Sequence, residues 1–213
     1  MSDLLRCEVE NRVAWLTIDR PAKRNALTSP MWAALLRHLE AIDAVPDLAA
    51  VVLRGTRGSF CAGADLDELR DPGRVEGLRD LGERAVGRLR DLTRPTFAAI
   101  DGACFGAGCS LALACDVRIC SPTSRFGIPA LRNGLGYEDA SVRRLVQVVG
   151  PGPAGLLLYG GERWTAEEAV AHRLVDRCSA DPFAAVERVL AGLRGAPGPA
   201  IAATVASLRT AGR

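Results

Sequence analysis

The chain has 213 residues, 48% hydrophobic and 24% charged, with a formal net charge of +2. That length supports one domain with a substantial core and leaves too little for two. The near-neutral balance gives no electrostatic reason for a nucleic-acid or anionic-membrane partner, and no apolar run reaches the roughly 18 residues of a membrane span.

Taken in chain order, "VAWLTIDR" (Val13–Arg20) is an apolar, β-branched strand that ends in a loop punctuated by Pro21 and Pro30. Thr28 or Ser29 can cap the next helix, with Pro30 in its first turn and an apolar stripe of Met31, Leu35, Leu39 and Ile42. "AAVVLRG" (Ala49–Gly55) is apolar without alternation, the pattern of a strand buried on both faces. "TRGSFCAGADLDEL" reads as a turn and a short helix opening near Asp65, and Gly73–Leu92 as a helix with a solvated, arginine-rich face. "PTFAAIDG" (Pro95–Gly102) is a second buried strand. It runs through "GACFGAG" into an apolar helix, and "DVRICS" is a strand again.

"ASVRRLVQVVG" and "PAGLLLYGG" predict helices bounded by glycine, and Thr165 with Glu168 forms a capping box in "TAEEAVAHR". Helical segments at Pro182–Leu193 and Pro199–Leu208 finish the chain. Strands alternating with helices predict an α/β fold with mostly parallel pairing in a single domain, 1–213. No internal sequence repeat or linker is visible.

The seven cysteines are odd in number and contain no CxxC pair, so they read as reduced core thiols rather than disulfides or metal ligands. No cluster of ligand residues implies a metal or redox cofactor. His38 and His172 fall in separate helical patterns, at surface or boundary positions. The N-terminal stretch lacks a basic-then-apolar signal pattern, and the expected location is cytoplasmic.

"FCAGADL" and "CFGAGCSL" carry the chemistry. Each is a small-residue turn between a buried strand and a helix, where the first N–H groups have no internal partner. Two such donors on one carbonyl oxygen would form an oxyanion hole, in which a lost donor costs about 3–4 kcal/mol of transition-state stabilisation. Alone, either loop is more often just a tight strand-to-helix turn. Neither carries a dinucleotide or P-loop fingerprint.

"RPAKRNAL", "SFCAGADL", "DGACFGAGCSLALACDVRI", "FGIPALRNGLG" and "RLVQVVG" occur in the order and spacing of one family. On these motifs the chain resembles the crotonase (enoyl-CoA hydratase/isomerase) superfamily over roughly residues 8–210. The resemblance implies a ββα spiral core with flanking helices and an acyl-CoA or enoyl-CoA thioester as substrate. It places the oxyanion donors at Ala64 and Ala107. It also assigns CoA contacts to Arg24 and Ala26 and to the turn Ala62, Asp65 and Leu66. CoA enters only as part of the substrate, and a homo-oligomer, trimer or hexamer, is implied. The resemblance further makes residues from about 180–213 a shortened C-terminal helical part.

Hydratases of that superfamily use two glutamates, whose positions here hold Ser110 and Ala130. A serine without a partner is a poor base near neutral pH, and alanine has no proton chemistry. Both residues are expected to line the pocket. "NGLGYEDAS" supplies Glu138 and Asp139 just before a helix. By residue type both suit a helix start, with Asp139 the natural cap. The resemblance to Δ3,Δ2-enoyl-CoA isomerases instead puts Glu138 in the pocket as acid/base. The expected function is isomerisation through an enolate. The rivals are hydration or decarboxylation of a CoA thioester, and a non-catalytic acyl-CoA-binding protein.

Overall fold

The computed structural model describes residues 4–211. A hairpin opens it: β1 (Leu5–Glu10) and β2 (Val13–Ile18) pair antiparallel around Asn11 and Arg12, both at positive φ (49° and 65°). Such a turn matches the twist of the flanking strands. No strand is legible at β1 in the sequence, because Leu5 is its one fully buried side chain and there is no apolar run to read.

After α1 (Ser29–Asp43) the chain makes three passes of strand, strand and helix. The first is β3 (Ala50–Gly55), β4 (Ser59–Cys61), α2 (Leu66–Leu69) and α3 (Val75–Arg90). The second is β5 (Thr96–Ile100), β6 (Ala103–Phe105) and α4 (Ala107–Ala114), and the third is β7 (Val117–Cys120), β8 (Arg125–Gly127) and α5 (Asp139–Val149). Then come α6 (Pro151–Leu158), β9 (Arg163–Thr165), α7 (Ala166–Ala171), β10 (Arg177–Cys178), α8 (Pro182–Arg194) and α9 (Gly198–Ala211).

Each pass lays its first strand in a six-stranded sheet, ordered β1-β2-β3-β5-β7-β10, and its second in a four-stranded sheet, ordered β4-β6-β8-β9. Pairing is parallel except for β1 with β2 and β8 with β9. This is the expected α/β architecture with a ββα repeat. The repeat lies in the backbone path alone, since strands of three residues leave no periodic sequence signal.

The larger sheet is covered on both faces, which explains its unbroken apolar runs. Leu16, Ile18, Val51, Leu53, Ala98 and Ile100 belong to the main core. Val13, Trp15, Val52, Phe97 and Ile119 pack on the other face against Ala185, Val186 and Leu190 of α8. In α1 the apolar stripe Met31, Leu35, Leu39 and Ile42 is buried as predicted, but the cap differs. Thr28 makes no capping bond. Instead the carboxylate of buried Glu68 accepts from the Ser29 N–H (2.8 Å) and hydroxyl (2.6 Å), a cap supplied by a distant segment. The capping box of Thr165 and Glu168 forms as expected. Among the described residues no single helix is long and apolar enough to cross a membrane.

Asp116 ties α9 to the sheet. Its carboxylate accepts from the N–H and hydroxyl of fully buried Thr96 (2.8 and 2.9 Å) and holds Arg209 through two further bonds (3.1 and 2.9 Å). Asp116→Ala strands the buried Thr96 N–H and releases Arg209. It is expected to cost about 2–4 kcal/mol, read as a lower urea midpoint with an unchanged slope.

Candidate active site

The turns that follow β4 and β6 lie against each other, because those strands are parallel neighbours and their C-terminal ends fall side by side. On the first turn, Leu27 pairs with Ala64: the Leu27 N–H donates to the Gly63 carbonyl and the Asp65 N–H to the Leu27 carbonyl, both at 2.8 Å. Groups of successive residues in extended backbone face opposite ways. The Ala64 N–H therefore points away from Leu27, on the side where Ala64 borders a cavity.

On the second turn, Gly106 (φ 50°, ψ −119°) takes a conformation closed to L side chains and swings the chain into α4. Ala107 is the first residue of that helix, so its N–H has no intrahelical partner. Among the described residues neither the Ala64 nor the Ala107 N–H meets a protein acceptor. Gly63 (φ 106°) allows the contact between the turns: a Cβ there would stand 3.0 Å from the Phe105 carbonyl oxygen and 3.6 Å from the Ala107 nitrogen.

The cavity these turns open into has a volume of about 450 Å³. Trp32, Leu69, Leu78 and Val86 form an apolar wall, while Arg24, Arg132 and Arg163 also border it and are exposed. Of the residues expected in the site, Arg24, Ala62, Ala64, Leu66, Ala107, Ser110, Ala130 and Glu138 all border this one cavity.

Ala26 and Asp65 do not. Asp65 caps α2 by accepting from the N–H groups of Asp67 (3.0 Å) and Glu68 (3.3 Å). It also pairs with Arg20 (2.6 Å), which in turn donates to the Ala26 carbonyl (3.0 Å). Both residues are brace rather than lining, because their polar groups are consumed in joining the 20–27 loop to α2. The fully buried Asn25 completes the brace, accepting from the Arg20 N–H (2.8 Å) and donating to the carbonyls of Thr56 (3.1 Å) and Ser59 (2.5 Å).

Glu138 occupies the N-cap position of α5 but makes no capping bond; its Oε1 accepts from Arg79 Nε (3.0 Å) at the cavity wall. Asp139, expected as the cap, is instead the first helical residue and is exposed. Among the described residues the other carboxylate bordering the cavity is that of exposed Glu83 on α3.

Sequence reasoning missed Tyr137, Ser141 and Arg79. Tyr137 shares a 2.5 Å hydrogen bond with Ser110, which also accepts from the Ser141 hydroxyl (3.1 Å). Burial pushes the Tyr137 phenol well above its ordinary range, Cys109 and Glu138 adding to the rise and the Ser110 bond opposing it. The partners are tens of residues apart in sequence, so no local pattern announces them. The one available signal was an aromatic hydroxyl directly before Glu138.

A profile of the enoyl-CoA hydratase/isomerase family matches residues 8–193. The chain belongs to that family. The 2,3-dehydroadipyl-CoA hydratase of Escherichia coli K12 is 36% identical over 169 residues, which span 79% of this chain and 66% of that relative. A solved enoyl-CoA hydratase/isomerase family protein from Hyphomonas neptunium superposes with a TM-score of 0.90 at 31% identity, covering 97% of this chain and 81% of that one. A solved Pseudomonas aeruginosa protein is 40% identical with a TM-score of 0.88, covering 100% and 95%. Membership of the crotonase superfamily and its fold, expected from five motifs, thus stands on independent comparisons.

Within this member, the Asp65 brace has a pH signature. Burial opposes the Asp65 charge, but the Arg20 hydrogen bond and charge and the Glu68 and Asp67 N–H groups outweigh it, so the carboxyl titrates below its ordinary range. A depressed folded-state value contributes stability that is fully present above the unfolded value of about 3.9 and lost as pH falls through the folded one. The stability gap between the parent and Asp65→Asn is expected to be full near pH 6 and to close on acidification, as measured by urea unfolding at each pH.

Proposed function

We propose that the protein is an acyl-CoA thioester enzyme that converts 3-enoyl-CoA to 2-enoyl-CoA. The observation that carries this reading is the pair of unpartnered N–H groups, Ala64 and Ala107, on touching turns beside a cavity bordered by Glu138. The exposed arginines Arg24, Arg132 and Arg163 suit the phosphates of CoA, and the apolar wall suits an acyl chain.

In the proposed reaction the Glu138 carboxylate removes a proton from C2. The C–H electron pair moves into the C1–C2 bond, and the thioester oxygen takes up the charge under the two N–H donors. The dienolate then recovers the proton from Glu138 at C4, leaving the double bond between C2 and C3. Arg79 holds Oε1, and among the described residues Oε2 has no protein partner and is available to the substrate. The carbon skeleton is unchanged and no co-reactant is consumed, so one carboxylate suffices.

Hydration is the second reading, favoured by the Escherichia coli relative, itself a hydratase, and by Glu83 as a second carboxylate beside the cavity. A hydratase would need Glu83 and Glu138 to hold and activate one water between them.

A panel of 3-enoyl-CoA and 2-enoyl-CoA substrates followed by absorbance distinguishes these readings. The expected result is isomerase turnover that is lost in Glu138→Gln while calorimetric affinity is retained; the glutamine can still accept from Arg79. Hydration alone would favour the second reading, and tight binding without turnover would indicate a carrier. Ala107→Pro deletes one N–H at a position where helices tolerate proline. It is expected to lower kcat by about 10²–10³-fold with the fold intact by circular dichroism.

A further inference from the structure

The cavity holds three hydroxyls that the reaction above does not use, and their bonds run one way. The Ser141 hydroxyl donates to Ser110 Oγ (3.1 Å), and the Tyr137 hydroxyl donates to the Gly106 carbonyl (3.1 Å). A phenol has one proton. With that proton on Gly106, Ser110 is the donor in its 2.5 Å bond with Tyr137. The relay therefore passes from Ser141 on α5, through Ser110 on α4, to Tyr137 and ends on a backbone carbonyl.

That carbonyl belongs to the same peptide group as the Ala107 N–H. In a planar trans peptide the C=O and N–H bonds point in fixed opposite directions and their dipoles add, so whatever holds one end aims the other. The Gly106 carbonyl also accepts from the Cys109 N–H (2.8 Å) and the Ser110 N–H (3.2 Å), bonds that any helix start would supply. Tyr137 adds a third donor from outside the helix. Bonds in series polarise one another, by about 10–30% per bond. Gly106, at φ 50°, has no side chain to restrain the peptide, and the hydroxyl supplies a restraint in its place.

We propose that Tyr137 is a positioning residue: its hydroxyl, oriented by Ser110 and Ser141, fixes and polarises the Gly106–Ala107 peptide and thereby strengthens the Ala107 N–H as a donor to the thioester oxygen. This rests on the reading of Ala107 as an oxyanion donor. It also gives Ser110 a task other than acid/base chemistry.

The test is infrared difference spectroscopy of crotonyl-CoA labelled with ¹³C at the thioester carbonyl, bound to the full chain. In the parent the carbonyl stretch should fall on binding. Tyr137→Phe should return a large part of that fall while the Kd stays within about twofold and kcat drops about tenfold, the pattern of an interaction that matters more in the transition state. Ser110→Ala and Ser141→Ala should follow in the same direction with smaller effects, graded by distance along the relay.

Fluorotyrosine gives the converse. The chain has two tyrosines, and Tyr159 is 82% exposed, so a Tyr159→Phe background carries 3-fluorotyrosine at position 137 alone. Its more acidic hydroxyl is a stronger donor and should lower the bound stretch beyond that of the parent. A packing role for the ring would move the melting temperature but not the stretch.

A parent shift that vanishes in Ala107→Pro yet survives Tyr137→Phe overturns the relay and leaves the oxyanion reading standing. A stretch unmoved by fluorination also overturns the relay. No shift on binding in the parent overturns both.

Discussion

The whole site depends on one close approach of backbone to backbone. β4 and β6 are parallel neighbours, so the turns leaving them emerge together, and Gly63 lets one turn rest on the other without a side chain between. Among the described residues each turn leaves one N–H group without a protein acceptor beside the cavity, and each is held from behind. Leu27 takes the backbone groups on either side of Ala64, and helix α4 takes those after Gly106. Changing the side chains of the facing residues, two alanines, would alter little so long as each keeps its N–H; displacing the backbone would remove the site.

Holding backbone at that precision needs buried polar groups, and these must be satisfied to be tolerated. Asn25, Arg20 and Asp65 meet this requirement as a unit: the amide makes three bonds, the carboxylate caps a helix and pairs with the guanidinium, and none is left without a partner. Their cooperation sets the 20–27 loop, and with it Arg24, against the cavity. The fold thus sets these bonded polar groups on one side of the turns and the cavity on the other. Glu138 and Tyr137 border the cavity, delivered by the segment before α5.

The parts of this arrangement that were legible in sequence are those with a local cause. Val13–Ile18, Ala50–Gly55 and Thr96–Ile100 are apolar without alternation because α8 covers one face and the main core the other. The Thr165 capping box is legible because its partners lie three residues apart. By contrast β4, β6 and β8 have three residues each, too few for a period, and β1 is mostly exposed. The two turns were legible as candidates because small residues before a helix leave its first N–H groups open, and five motifs read together then indicated the family. Ala26 and Asp65 lie off the cavity because nearness in sequence to a pocket does not determine which way a side chain turns. The hydroxyl relay and the Glu68 cap join residues some thirty to forty positions apart, and only folding brings them together.

Beneath the two turns the interior is rich in sulfur: Cys61, Cys104 and Cys109 are all buried there. Burial pushes the Cys61 thiol up to about 12, well clear of neutrality, and Cys115, deeper along α4, equally so. The thiolate rather than the thiol attacks electrophilic labels, so these buried sulfurs stay unreactive while the molecule stays closed, and Cys178 at the surface stands apart from them. The interior therefore carries its own clock. The slow uptake of label by its thiols would count how often the layers beneath the turns come apart, a stability local to the site and separable from that of the outer helices.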